Sequence, residues 1–119
     1  MEAMKIMLVD DEERFLSTTQ KLMNKQGIDV VTATGGAEAL KMLRQKHIHV
    51  VILDVKMPGI GGIELERKLK ELDPCLKTIF LTGHGSKTDF EAGSAEATCY
   101  LAKPIQIDEL IKILREVAG

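Results

Sequence analysis

Five polar side chains each follow a short apolar run of the sequence, and their types suggest chemistry on a phosphoryl group. Asp10 and Asp11 follow the first run, Asp54 the third, Thr82 the fourth and Lys103 the fifth. Clustered carboxylates repel one another, so a site that holds three of them favours a bound cation. Oxygen ligands of this kind suit Mg²⁺, which takes one or two carboxylates together with phosphate oxygens.

Asp54 is the candidate nucleophile of such a site. A carboxylate can form an acyl phosphate when a metal ion and hydrogen-bond donors neutralise the incoming group. Lys103 would supply a fixed positive charge for a phosphoryl oxygen. Two plainer interpretations stay open, because an aspartate after a strand, such as Asp11, is often a helix N-cap and a lysine before proline is usually a solvated loop residue.

Apolar runs that alternate with helical patterns predict the elements that position these side chains. The predicted strands are Met4–Val9, Asp29–Ala33, Val50–Leu53, Thr78–Leu81 and Cys99–Ala102. The predicted helices run from Glu12 to a stop signal at Gly27, from Ala37 to Lys46, from Ile63 to Leu72, over 86–96, and from Ile107 to Val117.

Strict alternation of strands and helices predicts an α/β fold with a parallel sheet and helices on both faces. Five strands favour an open, doubly wound sheet of the flavodoxin-like order 2-1-3-4-5. In that order strands 1 and 3 are neighbours, and ligands bind at the carboxyl ends of the strands. We therefore expect Asp10, Asp11 and Asp54 to share one cleft, with Thr82 and Lys103 beside it.

The overall composition excludes several classes of protein. A chain of 119 residues predicts one domain over residues 1–119. Lys plus Arg is 16 and Asp plus Glu is 18, so the net charge is −2, which indicates neither a nucleic-acid nor a membrane surface. No apolar run approaches the ~20 residues that span a bilayer. The apolar stretch at the start of the chain is too short for a signal peptide and is interrupted at once by Asp10 and Asp11, so we expect a cytoplasmic protein.

The cysteines and histidines show no spacing typical of a zinc site. Cys75 and Cys99 are interpreted as buried or half-buried thiols in a reducing compartment. His47 and His49 precede the third strand, so we predict exposed loop residues at the edge of the sheet opposite the acidic cluster.

Four short motifs occur in order, about one for each β/α unit. They are Val9-Asp10-Asp11-Glu12, Leu53-Asp54-Val55-Lys56-Met57-Pro58-Gly59 with Gly62, Leu81-Thr82-Gly83, and Tyr100-Leu101-Ala102-Lys103-Pro104. Together they resemble the receiver domain of bacterial two-component response regulators, and the resemblance covers essentially the whole chain.

The resemblance implies a Mg²⁺-dependent phosphoacceptor domain. It implies that Asp54 receives the phosphoryl group, and that Asp10 and Asp11 hold Mg²⁺ together with Asp54 and the main-chain carbonyl of Lys56. The donor would be a phosphohistidine of a histidine kinase or of a phosphotransfer protein. The domain would catalyse only its own phosphorylation and dephosphorylation.

The resemblance also implies a conformational switch. Thr82 matches the switch hydroxyl, Lys103 the lysine that binds the phosphoryl group, and Tyr100 the aromatic switch residue, although a lone tyrosine is more often a core or edge residue. The switching surface would comprise the fourth predicted helix, the fifth strand and the fifth helix. That surface would serve a homodimer, a C-terminal output domain or an effector protein, without direct contact of this domain with nucleic acid.

The segment before the last strand departs from the family pattern. The distance from Thr82 to Lys103 is one residue shorter than usual, and Glu96 stands where the family usually has glycine. Phe90 is the only large apolar residue in the predicted helix over 86–96. We therefore predict that this helix is the least stable and exchanges its amide hydrogens fastest.

The residues that flank the predicted phosphoryl site suggest a long-lived phosphorylated form. Lys56 lies two positions after Asp54, and His84 two positions after Thr82. Neither is a carboxamide or carboxylate that would readily orient a water molecule for hydrolysis. We expect slow hydrolysis, and faster hydrolysis in Lys56→Asn.

Two alternative functions fit the same fold. One is a Mg²⁺-dependent phosphatase with an aspartyl-phosphate intermediate, but such enzymes usually carry an acid two residues after the nucleophile, where this chain has Lys56. The other is an interaction module that is never phosphorylated. Turnover of a phosphomonoester would favour the first, and failure to label with acetyl phosphate would favour the second.

Overall fold

The structure, a computed structural model, describes residues 4–55, 59–82, 99–102 and 105–118. The side chains of Thr82, Cys99, Tyr100, Ala102 and Ala118 lie outside the described part. The helix that the sequence predicts over 86–96 also lies outside the described residues.

The described residues form five strands and four helices. The strands are β1 (Lys5–Val9), β2 (Asp29–Ala33), β3 (Val50–Leu53), β4 (Lys77–Thr82) and β5 (Cys99–Ala102). The helices are α1 (Glu13–Lys25), α2 (Gly36–Gln45), α3 (Gly62–Leu72) and α4 (Ile107–Ala118). Within these described ranges, no helix combines the length and the apolar character needed to cross a bilayer.

The five strands form one parallel sheet in the order β2-β1-β3-β4-β5. This confirms the predicted topology. Val9 at the end of β1 pairs with Leu53 at the end of β3. The two strands therefore end at the same level of the sheet, and the residues that follow them begin side by side.

Alternation along the strands separates two apolar cores. Ile6, Ile52 and Ile79 face a core that includes residues of α1 and α4. Met7 and Val51, the strand neighbours of Ile6 and Ile52, face the other core, which includes residues of α2 and α3. Both faces of the sheet are thus covered, and all four residues of β3 are buried. This explains why the β3 sequence is wholly apolar.

The end of α1 confirms the stop signal at Gly27. The Gly27 N–H donates to the Asn24 carbonyl at 3.0 Å, and the Ile28 N–H donates to the Met23 carbonyl at 3.1 Å. This is the Schellman pattern, which requires a left-handed residue after the helix. Gly27 has φ of 81°, which glycine adopts at little cost.

The predicted burial of Cys75 is wrong. Cys75 is exposed in the turn between α3 and β4, where its N–H donates to the Asp73 carboxylate at 3.1 Å. The next residue, Leu76, enters the core instead and is 1% exposed. The side chain of Cys99 is not among those described.

The prediction of an exposed loop residue is also wrong for His49. His49 is half-buried, and its Nδ1 accepts a hydrogen bond from the Lys5 N–H at 3.0 Å. The backbone of His49 also donates to the Lys5 carbonyl, because the residue extends the pairing of β1 with β3 by one position. His47 is exposed, as predicted.

Candidate functional site

Asp10 is a buried carboxylate directly after β1, and it is 2% exposed. Its N–H donates to the carbonyl of Ala33, the last residue of β2, at 3.1 Å. Its Oδ1 accepts a hydrogen bond from the Glu12 N–H at 2.9 Å. The bond from Glu12 bends the chain toward the start of α1 and fixes the Asp10 side chain at the carboxyl edge of the sheet.

Asp11 is exposed beside it. The N-cap residue of α1 is Glu12, and no side chain makes a capping hydrogen bond there. The alternative interpretation of Asp11 as a helix cap is therefore wrong.

Asp54 occupies the same position after β3 as Asp10 does after β1. Its N–H donates to the Val9 carbonyl at 3.1 Å, which continues the pairing of the two strands by one residue. Asp54 is half-buried. Carboxylate oxygens of Asp10, Asp11 and Asp54 all lie within 4.8 Å of one another. The parallel sheet thus brings together three side chains that are up to 44 residues apart in sequence.

This acidic cluster is compatible with a bound Mg²⁺ ion. Three negative charges at such short distances repel one another, and a cation relieves the repulsion. The donor atoms are carboxylate oxygens, which are the hard ligands that Mg²⁺ prefers. Asp10 is buried, Asp54 is half-buried and Asp11 is exposed, so the cluster combines a fixed inner carboxylate with access from solvent.

Helix α3 begins directly against the backbone of Asp54. The Gly62 N–H donates to the Val55 carbonyl at 2.9 Å. A Cβ atom at position 62 would overlap the Asp54 carbonyl oxygen and would lie 2.9 Å from the Val55 Cα. Backbone atoms cannot move aside as a flexible side chain can, so this position requires glycine. The start of α3 therefore buttresses the residue that carries the central carboxylate.

A second close contact, which the sequence analysis missed, involves the loop before α3. Gly59 has φ of 79°, and Ile60 is half-buried after it. A Cβ atom at Gly36, the first residue of α2, would overlap the Ile60 Cγ2. In the sequence the pair Gly35-Gly36 is a turn signal, and a second glycine at the start of a helix is also compatible with close packing.

The other predicted site residues are only partly described. Thr82 ends β4, and its backbone pairs with Ala102, the residue before Lys103. The side chains of Thr82 and Tyr100 lie outside the described part, as do Lys56 and Lys103 altogether. The structure thus brings together the three aspartates, and the four other predicted roles belong to groups outside the described part.

The sequence and the structure are both similar to those of known signalling proteins. Residues 6–115 match the family model of the response regulator receiver domain. The chain is 33% identical over 108 residues to the sporulation initiation phosphotransferase F of Bacillus subtilis, which covers 89% of this chain and 86% of that protein. It is 32% identical over 110 residues to the transcriptional regulatory protein GlrR of Escherichia coli, with 92% of this chain but only 25% of GlrR covered.

A solved structure agrees with these relatives. The response regulator TrrA of Thermotoga maritima, in complex with Mg²⁺ and BeF, is similar with a TM-score of 0.83 at 29% identity. The match covers 96% of this chain and 98% of TrrA. With the family model matching almost the entire chain and the fold agreeing, the chain belongs to the response regulator receiver domains, the phosphoacceptor modules of two-component signal transduction.

Proposed function

We propose that Asp54 is the residue of this receiver domain that accepts the phosphoryl group. The observation that carries the proposal is the cluster of Asp10, Asp11 and Asp54, whose carboxylate oxygens lie within 4.8 Å of one another. Asp54 follows the central strand β3 and has the other two carboxylates beside it. It is therefore the member best placed to attack a phosphoryl group that approaches the carboxyl ends of the strands.

The reaction is a transfer from a phosphohistidine of a histidine kinase or a phosphotransfer protein. An Asp54 carboxylate oxygen attacks the phosphorus, the bond from phosphorus to the histidine nitrogen breaks, and that nitrogen leaves with the electron pair. Asp54 then carries an acyl phosphate. Lys103 and the Thr82 hydroxyl are proposed to hold the phosphoryl oxygens, and Tyr100 is proposed to follow Thr82 in the switch.

Asp10, Asp11, Asp54 and the main-chain carbonyl of Lys56 are the proposed Mg²⁺ ligands. When bound, Mg²⁺ neutralises negative charge on the transferred group and on the carboxylates. The burial of Asp10 and its hydrogen bond from Glu12 support its role, because a ligand that is already oriented loses little freedom on binding.

The proposed partners follow from the relatives and from the family. The relative from Bacillus subtilis is named a phosphotransferase, and GlrR is named a transcriptional regulatory protein of which this chain matches a quarter. Transfer to another protein and control of an output domain or effector are thus both proposed outputs. The surface proposed for either, or for a homodimer, comprises the segment 86–96, β5 and α4.

The test is phosphorylation with acetyl phosphate and Mg²⁺, followed by intact-protein mass spectrometry. The wild-type protein should gain one phosphoryl mass, and chelation of Mg²⁺ should prevent the gain. Asp54→Asn should abolish it, because the amide nitrogen and oxygen are poor nucleophiles. Asp108→Asn, an exposed aspartate at the start of α4, is the matched control and should label like the wild type.

Two results would contradict the proposal. A phosphoryl gain in Asp54→Asn would place the acceptor elsewhere, and no labelling of the folded wild-type protein would favour the module that is never phosphorylated. Sustained hydrolysis of a phosphomonoester substrate would instead favour the phosphatase.

A further inference from the structure

Glu66 is a buried carboxylate that the phosphorylation site does not use. It lies in the middle of α3 and is 1% exposed. The hydroxyl of Thr78 in β4, which is fully buried, donates to the Glu66 Oε2 at 3.1 Å. The Lys70 ammonium lies 3.8 Å from the same oxygen, and its side chain is 33% exposed. Charged side chains are rarely buried to this extent without a specific reason.

The position of Glu66 connects the two strands of the proposed site. Gly62, which abuts the Asp54 backbone, lies one helical turn before Glu66 on the same side of α3. Thr78 lies four residues before Thr82 in the same strand. The hydrogen bond between Glu66 and Thr78 therefore ties the helix that supports Asp54 to the strand that ends at Thr82.

Stability alone gives a weak reason for this arrangement. Glu66 is buried on the side of the sheet whose apolar core contains Leu65, Leu69 and Phe80. Replacing buried ionic groups with apolar residues of similar volume is often neutral or stabilising. A hydrogen bond is directional, whereas apolar packing is not. The polar pair therefore fixes the position of α3 along β4 more strictly than leucine at position 66 and valine at position 78 would.

We propose that Glu66 is a positioning residue for phosphoryl acceptance: its hydrogen bond with Thr78 fixes α3 along β4 and so keeps Asp54 in place relative to the end of β4. The inference rests on the proposed role of Asp54. It concerns distances within the site and does not make Glu66 a catalytic residue.

The test compares stability with phosphorylation in the full chain. In the double variant Glu66→Leu/Thr78→Val, the free energy of unfolding in urea should change little, because the buried polar pair becomes apolar and the Lys70 ammonium, whose side chain is 33% exposed, can turn to water. The rate of labelling by acetyl phosphate with Mg²⁺, per folded molecule, should nevertheless fall about tenfold, because small misplacements of reacting groups cost large factors in rate. Glu66→Gln keeps an acceptor for the Thr78 hydroxyl and should retain most of the rate.

Glu71→Leu is the matched control, because Glu71 is exposed on the same helix. It should label at the wild-type rate. A double variant that labels at the wild-type rate would overturn the inference, and so would a Glu66→Gln variant as slow as the double variant. If the double variant does not fold, Glu66→Gln and the single variant Thr78→Val decide: Thr78→Val should be slow and Glu66→Gln fast. Since all rates are compared with a wild type that labels on Asp54, failure of the proposed function would be seen first, as absent wild-type labelling.

Discussion

Asp10 and Asp11 are adjacent in sequence but differ in burial and in hydrogen bonding. Asp10 is buried and accepts a backbone hydrogen bond, so its removal damages the start of α1. Asp11 is exposed, and its carboxylate lies beside those of Asp10 and Asp54. Asp11 is therefore the position at which the electrostatic cost of the cluster can be measured with little structural damage.

We predict that Asp11→Asn stabilises the metal-free protein. Removing one of three mutually repelling charges should raise the free energy of unfolding by about 1 kcal/mol, the scale for charges a few ångströms apart in a solvated setting. Urea unfolding with a chelator measures this. Addition of Mg²⁺ at a hundredfold excess over its Kd should stabilise the wild type by about 2.7 kcal/mol, and the variant by less at the same concentration. A variant that is less stable than the wild type without metal would contradict the prediction.

Gly62 offers a second prediction at the level of one residue. Gly62→Ala places a Cβ against the Asp54 carbonyl, so α3 or the backbone of Asp54 must move. We expect a loss of about 1–3 kcal/mol in stability, as for other overpacked positions, and slower labelling per folded molecule. Gly35→Ala is the control, because a Cβ there meets no atom within 4 Å. It should change both quantities little, and equal effects in the two variants would contradict the assigned role.

The site residues differ in how far the sequence could predict them. The grouping of the three aspartates follows from two apolar runs and the geometry of a parallel sheet. Glu66 could not be predicted as buried from charge alone, because α3 is rich in exposed charges of both signs. The spacing of Gly62, Leu65, Glu66 and Leu69 was nevertheless a signal, since these positions share one face of a helix and all are buried.

At the level of elements, the end of α1 is a place where a substitution should lower stability without changing phosphorylation. Gly27→Ala forces a Cβ into a left-handed conformation and should cost about 1–2 kcal/mol. Gly27 lies at the end of α1 opposite to Asp11, so labelling per folded molecule should be unchanged. Urea unfolding and acetyl phosphate labelling of the same samples test this. A slower rate in the folded variant would mean that this end of α1 also influences the site.

The bounds of β2, β3 and β5 agree with those predicted, because short runs rich in apolar residues and followed by polar residues define strands well. Contacts between elements are harder to predict. The fit of Ile60 against Gly36 depends on where the residues just before α3 lie relative to α2, and the periodicity of the sequence does not contain that information. The fast amide exchange expected for 86–96 stays a prediction.

At the level of the whole molecule, one sheet is shared by two cores. Leu8 and Ile52 point to the core under α1 and α4, while their strand neighbours Val9 and Leu53 point to the core under α2 and α3. Because both cores pack on the same strands, separation of the strands would expose both cores. The topology could be predicted because alternation of strands and helices leaves few arrangements, and the division into two cores follows from it.

The shared sheet predicts that ligand binding at the acidic cluster protects both cores equally. Mg²⁺ with beryllofluoride binds only the folded protein, so at a hundredfold excess over its Kd it should slow exchange through global unfolding by about a hundredfold. The most protected amides of β1, α1 and α3 should all show this factor, because they open only when the sheet does. Hydrogen exchange with mass spectrometry measures it, with Asp54→Asn as the control that should lose most of the effect. Protection confined to α3 and its core would show that the two faces unfold separately, and that the ligand stabilises only the face that carries Gly62.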